Sequence, residues 1–242
     1  MRTCGGYNRK IFENLFAVEI NRGGNARKTT GIKRRLREEG EIKMKAAIIL
    51  NSPEPVKNVA EENVIYADAG YKYKAFLGGK KTLAVVGDFD TLGTAPENER
   101  LVSLECEKNF TDGERAAHFA KECGADEITI YGAFGGKPEH ILGNIALLAI
   151  AEKIGLKAAI RGDNYTVCLV GGKRAFNVHS GASVSLIPYT DEAAVTDSRG
   201  LYYPLENLVL TKEDTRGISN VATTDEFFIN VYRGKVLAII YD

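Results

Sequence analysis

The sequence predicts an α/β fold, a parallel Rossmann-like sheet with helices on both faces, followed by a small all-β sandwich domain. Two observations carry this expectation. Between Met44 and about residue 161, short apolar runs alternate with helical segments, the pattern of a parallel sheet covered on both sides. After Gly162 the runs become short, closely spaced and divided by turn residues, with little helical periodicity, the pattern of a small sandwich. A third observation sets the start. Residues 1–43 carry 11 Lys+Arg against 5 Asp+Glu, whereas the remainder carries 21 against 27. The chain therefore divides into a basic leader at 1–43, an α/β domain at 44–161 and a β-domain at 162–242.

The leader contains Asn21-Arg22-Gly23-Gly24-Asn25-Ala26-Arg27-Lys28 and has little apolar pattern beyond Ile11–Ile20. It reads as a basic arm or a disordered leader. The preferred expectation is that Met44 is the true start and that 1–43 is a translated upstream region. From there Ala46–Leu50 is expected as a strand, then a loop at Ser52–Pro55. Val64–Ala67 is a second strand ending at Asp68-Ala69-Gly70, and Tyr71–Phe76 is expected as a helix. Leu83–Val86 is the third strand and Leu101–Leu104 a weak fourth. Thr111-Asp112-Gly113-Glu114 fits a capping box, so a helix runs from there to Cys123, with Gly124 as its stop.

Glu127–Tyr131 is the next strand. It leads through Gly132-Ala133-Phe134-Gly135-Gly136-Lys137 into a helix at about Pro138–Lys153, whose apolar face is Ile141, Leu142, Ile145, Leu148 and Ala149. In the last third, Val167–Val170, Ala175–Val178, Ser183–Ile187, Leu201–Pro204, Phe227–Tyr232 and Val236–Tyr241 are expected as strands, the last two joined by Arg233-Gly234-Lys235.

Composition narrows the function. The acidic body argues against a nucleic-acid groove and suits a site where a cation supplies positive charge. Cys4, Cys106, Cys123 and Cys168 have no CxxC spacing, which points to reduced thiols in a cytoplasmic protein. No apolar run reaches membrane-spanning length, and the N-terminus has no apolar signal-peptide core.

The stretch Leu83–Thr91 carries the chemistry. Asp88 and Asp90 stand two residues apart at the end of a strand, so their carboxylates converge. Such a pair repels unless a cation lies between, and Mg²⁺ is the ordinary candidate. Taken alone the stretch is more simply an Asp-rich turn. Asp68 and Gly132–Lys137 also lie just past strand ends, where open α/β sheets bind ligands. Asp112 opens a helix. Gly135-Gly136 precedes another, where free N–H groups can hold phosphate, and Lys137 and Lys108 add charge. Metal-binding carboxylates beside a phosphate cradle are the inventory of phosphoryl-type transfer. No Walker A signature is present. His140 reads equally as a proton carrier, a phosphate contact or a helix-surface histidine.

Ala67-Asp68-Ala69-Gly70, Gly87-Asp88-Phe89-Asp90-Thr91, Lys108-Asn109-Phe110-Thr111-Asp112 and Gly135-Gly136-Lys137-Pro138-Glu139-His140, with Gly143-Asn144, resemble in order the motifs of thiamine pyrophosphokinases. Arg199–Leu205 and Arg216-Gly217-Ile218-Ser219-Asn220 are similar to the family's C-terminal elements. The resemblance spans about 45–242. It implies a Mg²⁺-dependent, homodimeric transferase with sites where two chains meet, which moves a pyrophosphoryl group from ATP to thiamine. By the resemblance Asp88, Asp90 and Asp112 bind the metal and the ATP phosphates as the catalytic set. Asp68, Lys108, Thr111, Gly135, Gly136, Lys137, His140 and Asn144 line the ATP site, and Ser219 and Asn220 hold thiamine's aminopyrimidine.

Three features depart from the family pattern. Asn109 replaces an aspartate, Lys137-Pro138-Glu139 replaces Arg-x-Asp, and the chain has no Trp, so a Tyr or Phe would stack on thiamine. An active enzyme is expected. The alternatives are a non-catalytic thiamine-binding regulator and transfer to another alcohol.

Overall fold

The computed structural model describes residues 43–89, 96–103 and 110–241. The basic leader up to residue 42, together with Asp90, Thr91, Lys108 and Asn109, lies outside the described residues. Residues from Lys43 onward form one compact unit.

Its sheet is mixed. Six strands are parallel: β1 Lys45–Ile49, β2 Asn63–Ala67, β3 Lys81–Gly87, β4 Leu101–Ser103, β5 Glu127–Tyr131 and β6 Lys157–Arg161. Their spatial order is β6-β5-β1-β2-β3-β4. The sheet does not end there. β6 pairs antiparallel with β7 Tyr165–Asn177 through Ile160↔Val167 and Arg161↔Thr166. The ladder continues through β12 Glu226–Tyr241 and β9 Glu192–Arg199 to β10 Leu208–Thr211. β8 Ser183–Pro188 pairs with β12 and with the short β11 Asn220–Val221.

The parallel strands are apolar on both faces because both faces are covered. Ala46, Ile48, Ile65, Val86, Ile128 and Ile130 point to one side. There they meet α1 (Asp112–Glu122) through Ala116, Ala117, Phe119 and Ala120, and α2 (Pro138–Lys153) through Leu147, Leu148 and Ala151. The alternate residues Ala47, Ile49, Val64, Tyr66, Val85 and Tyr131 point to the other. That second face corrects the expectation of helices on both sides. Among the described residues it is covered by Val56 and by a 3-10 helix at Asp68–Phe76, which buries Tyr73, with Leu77 just beyond it.

Three further expectations are corrected. First, Val167–Val170 and Ala175–Val178 belong to a single strand, and Arg233-Gly234-Lys235 lies inside β12 rather than between two strands. The glycines that read as turns are bends. Gly234 has φ 70°, and a Cβ there would stand 2.1 Å from Glu192 O, so only glycine fits. The β7–β12 register shifts between Val231 and Val236, where the pair bulges and changes direction. Second, Leu201–Pro204 forms only a bridge from Leu201 to Ala222, as expected where Pro removes a ladder donor. Third, of the expected α2 face Leu148 is buried and Ile145 packs against the core, but Leu142 is 69% exposed, and Leu147 and Ala151 complete the buried side.

β7 and β12 also join two cores. Val167 and Leu237 pack into the helix-covered core, while Cys168, Val170, Val236, Ala238 and Ile240 pack into a second core with Val184, Leu186, Val195 and Leu210. Strand alternation makes these strands a shared wall.

Candidate active site

The carboxyl ends of β1, β2, β3 and β5 converge on one place. β2 delivers Asp68 and β3 delivers Asp88, on neighbouring strands whose ends pair Ala67↔Val86. A Cβ at Gly87 would lie 3.1 Å from the Asp68 Cβ, so the two segments touch. Asp68 has φ 44° and Phe89 has φ 62°, bracketing Asp88 with two strained non-glycine residues. Asp68 is 9% exposed, and its Oδ1 is buried with no hydrogen-bond partner. A buried acceptor left unsatisfied costs about 1–3 kcal/mol, so this oxygen is set for a donor or a cation.

From β1 the chain runs through Leu50-Asn51-Ser52, which the neighbouring elements grip from both sides. Lys72 Nζ donates to Asn51 Oδ1 at 2.7 Å and to Ser52 O at 3.2 Å, and the Tyr73 hydroxyl donates to Ser52 O. Ser52 Oγ accepts from the Glu54 N–H at 3.3 Å and donates to Phe134 O at 3.5 Å. Composition alone passes over Ser52, Lys72 and Tyr73. The one signal in the sequence is the alternating Tyr71-Lys72-Tyr73-Lys74 directly after Asp68-Ala69-Gly70.

Asp112 opens α1 beside this loop. Thr111 caps the helix, its Oγ1 accepting the Glu114 N–H at 3.2 Å. Gly113 sits against Leu50 and Leu147.

From β5 the chain turns at Gly132, whose φ of 73° and close approach to Leu50 O exclude a side chain. It then passes through exposed Gly135-Gly136-Lys137 into α2. Asn144 Nδ2 donates to Ala133 O at 2.9 Å and holds this turn from the helix side. His140, exposed, stands one turn before Asn144. No side chain caps the start of α2, where Pro138 follows Lys137; the His140 and Ile141 N–H groups donate instead to Lys137 O at 3.0 and 3.1 Å.

Asp68, Asp88, Asp112, Thr111, Gly135, Gly136, Lys137, His140 and Asn144 therefore belong to one set of strand ends and helix starts. The expected partners Asp90 and Lys108 fall outside the described residues. No group of three or more His, Cys, Asp or Glu forms a metal-ready cluster among the described residues. The donor set nonetheless suits a hard cation, since Asp68 presents an unpartnered carboxylate oxygen beside the β3 end.

Beside this site, Glu99 ties the segment before β4 to the 3-10 helix. It pairs with Lys74 and accepts from the Tyr71 hydroxyl at 3.5 Å. The hydrogen bond to Glu99 holds the Lys74 ammonium above its usual pKa, while burial pushes the Tyr66 phenol to about 12.

Ser219 and Asn220 lie elsewhere in the chain, on the second core beside β8. Ser219 is exposed with φ 60°, its N–H donating to Ser185 Oγ at 3.0 Å. Asn220 is 4% exposed, and its amide is turned into the protein. Its Oδ1 accepts from Tyr203 N at 3.0 Å and Val221 N at 2.8 Å, and its Nδ2 donates to Tyr203 O at 2.8 Å. This clamp holds Tyr202 and Tyr203 outward, 65% and 61% exposed, their rings 4.9 Å apart at 86°.

Comparison with known proteins agrees with this layout. Residues 58–160 match the family described as thiamin pyrophosphokinase, catalytic domain. Residues 175–236 match thiamin pyrophosphokinase, vitamin B1 binding domain. A thiamine pyrophosphokinase of Bacillus subtilis (strain 168) is 32% identical over 143 residues, covering 55% of this chain and 66% of that protein. The crystal structure of a thiamine pyrophosphokinase from Bacillus subtilis superposes with a TM-score of 0.70 at 22% identity, covering 81% of this chain and 98% of the other. The enzyme from Candida albicans superposes at 0.67 and 15% identity, covering 83% and 90%.

Proposed function

Because the chain belongs to the thiamin pyrophosphokinase family, we propose that it transfers a pyrophosphoryl group from ATP to the hydroxyl of thiamine, giving thiamine diphosphate and AMP. The observation that carries this reading is the unpartnered buried Oδ1 of Asp68, held at the joined ends of β2 and β3 inside the segment that matches the catalytic domain. Residues 44–161 are the catalytic domain in this reading. Residues 162–242 are a β-sandwich that binds thiamine.

Asp88, Asp90 and Asp112 would hold Mg²⁺, which would supply positive charge against the triphosphate. Asp68 orders that cluster. The N–H groups of Gly135-Gly136, ahead of α2, receive phosphate oxygens. Lys137, Lys108 and His140 add charge or hydrogen bonds. Thr111 has a hydroxyl proton left to donate, because its oxygen only accepts in the cap. Asn144 shapes the glycine turn through Ala133. The thiamine hydroxyl oxygen attacks the β-phosphorus in line as its proton passes to solvent, the bond from the β-phosphorus to the oxygen shared with the α-phosphorus breaks, and AMP leaves carrying that oxygen. Positioning and charge stabilisation supply most of the rate.

On the thiamine side, Ser219 offers the hydroxyl, and Asn220 acts through the Tyr202–Tyr203 segment that it clamps. The nucleotide groups and Ser219 rest on different cores, which fits a homodimer whose sites form between chains. Among the described residues no helix is long and apolar enough to cross a membrane, and we place the enzyme in the cytoplasm.

Purified protein with ATP, Mg²⁺ and thiamine should release AMP and thiamine diphosphate in equal amounts. Thiamine binding without turnover would instead make it a regulator, and turnover only with another alcohol would change the acceptor.

A further inference from the structure

The edge of β8 that meets β11 carries a bulge. Ser183 pairs with Val221 and Val184 with Asn220. Beyond them the Leu186 N–H donates to Gly217 O at 2.7 Å. Ile218 and Ser219 therefore stand opposite the single residue Ser185, the two-against-one arrangement of a β-bulge, which re-aims side chains. Ile218 and Ser219 are both exposed, while Gly217 and Asn220 on either side of them are buried.

Ser219 is the strained member of this bulge. Few non-glycine residues adopt its φ of 60°, and such a conformation persists only where the surroundings fix it. Three restraints bear on it. Gly217 is pressed against β8, where a Cβ would lie 2.0 Å from Leu186 O. The Ile218 N–H donates to Thr215 O at 3.1 Å. The Ser219 N–H donates to Ser185 Oγ at 3.0 Å, a side chain standing in for a ladder carbonyl. The last of these acts on Ser219 itself.

Ser185 is a buried hydroxyl between Val184 and Leu186, both of which fill the second core. On its other edge its backbone pairs with Ile239 of β12. An apolar side chain would suit a buried strand position as well, but it would leave the Ser219 N–H without this acceptor.

We propose that Ser185 is a positioning residue for thiamine: its Oγ fixes the backbone of Ser219, so that the Ser219 hydroxyl is presented outward from the bulge. This rests on the reading of Ser219 as a thiamine contact.

The test is isothermal titration of the full chain with thiamine and, separately, with ATP and Mg²⁺. Ser185→Ala should bind thiamine about fivefold more weakly, the effect of one hydrogen bond, and ATP as the wild type does. Ser185→Thr keeps the acceptor and should keep the affinity. In the Ser219→Ala background, adding Ser185→Ala should change nothing further, because the effect runs through Ser219. Amide exchange followed by NMR should accelerate at Ser219 in Ser185→Ala, while the ladder amides of β8 stay protected and show the fold intact. Equal thiamine affinity in Ser185→Ala, a matching loss for ATP, a further loss in the double variant, or unchanged exchange at Ser219 would each overturn the proposal. The titration reads binding, so a lack of turnover would defeat the assigned reaction alone, whereas a wild type that does not bind thiamine would overturn both.

Discussion

Asp68→Asn separates the role of this side chain from its contribution to folding. The substitution keeps shape and tolerates the φ of 44°, since Asn enters the left-handed region more readily than most residues. What it removes is charge at a buried oxygen with no partner. In the ligand-free protein that oxygen costs about 1–3 kcal/mol, and more when ionised. A neutral amide should return about 1 kcal/mol of this. For a unit of this size, that raises the melting temperature by about 2–4 °C. Activity should move the other way, falling about a hundredfold, because a neutral amide neither attracts a cation nor orders the neighbouring carboxylates. Scanning fluorimetry without ligand, then with ATP and Mg²⁺, reads both effects. The variant should melt higher alone yet gain less from ligand than the wild type. A variant with full activity and an unchanged ligand-induced shift would refute the assignment of Asp68 to the site.

Asp88→Ala and Asp90→Ala should each abolish most turnover while leaving the circular dichroism spectrum intact; wild-type rates in either would remove the carboxylate pair from the mechanism. Asn220→Ala strips three hydrogen bonds from Tyr203 and Val221 and should cost about 2 kcal/mol of stability. It should also raise the KM for thiamine more than that for ATP, and equal changes in both would make the clamp purely structural. Burial raises the phenols of Tyr66 and Tyr131 to about 12, above their ordinary value near 10. Between those limits the unfolded chain loses protons that the folded chain keeps, so stability falls as pH rises from about 10 to 12. Alkaline melts should show this decline, and an absorbance titration should find tyrosines that ionise last; if every tyrosine titrated together near 10, the burial argument would fail.

Local features of this fold were legible in the sequence because their causes are local. The Thr111 cap closes over three residues, and Pro138 and Gly124 mark helix ends by their own backbone preferences. The positions of Asp68 and Asp88 were legible for the same reason, each sitting at a single strand end. Features set by distant contacts were not. Gly172 and Gly234 look like turn glycines along the chain, and only pairing of β7 with β12 shows that they bend continuous strands. Asn144 shows its partner Ala133 only once the turn after β5 has folded back. Asn220 was assigned to thiamine by the resemblance alone. That its amide is buried and makes three bonds to Tyr203 and Val221 could be seen only in the fold. The face of α2 was legible at Ile145 and Leu148 but not at Leu142, because helical periodicity fixes which residues share a side, while packing decides how far along the helix that side is covered.

The helix expected at Tyr71–Phe76 is a 3-10 helix that begins at Asp68, and this bears directly on the site. An Asp with φ 44° and a Phe with φ 62° each hold a conformation costing about 1–3 kcal/mol, and such residues persist only where their surroundings over-determine them. The 3-10 segment provides this restraint. It starts at Asp68 itself, so the carboxylate leaves the strand without an intervening loop. Gly70 lets the segment cross the β1 end, where a Cβ would lie 2.2 Å from Ile49 O. Tyr73 is then buried, with its hydroxyl on Ser52, and Leu77 and Phe89 pack into the same core. Apolar burial on the face without α-helices therefore offsets strain at the ends of β2 and β3. A longer α-helix would carry its first turn away from the strand end and give up the strained geometry that sets Asp68 against the end of β3.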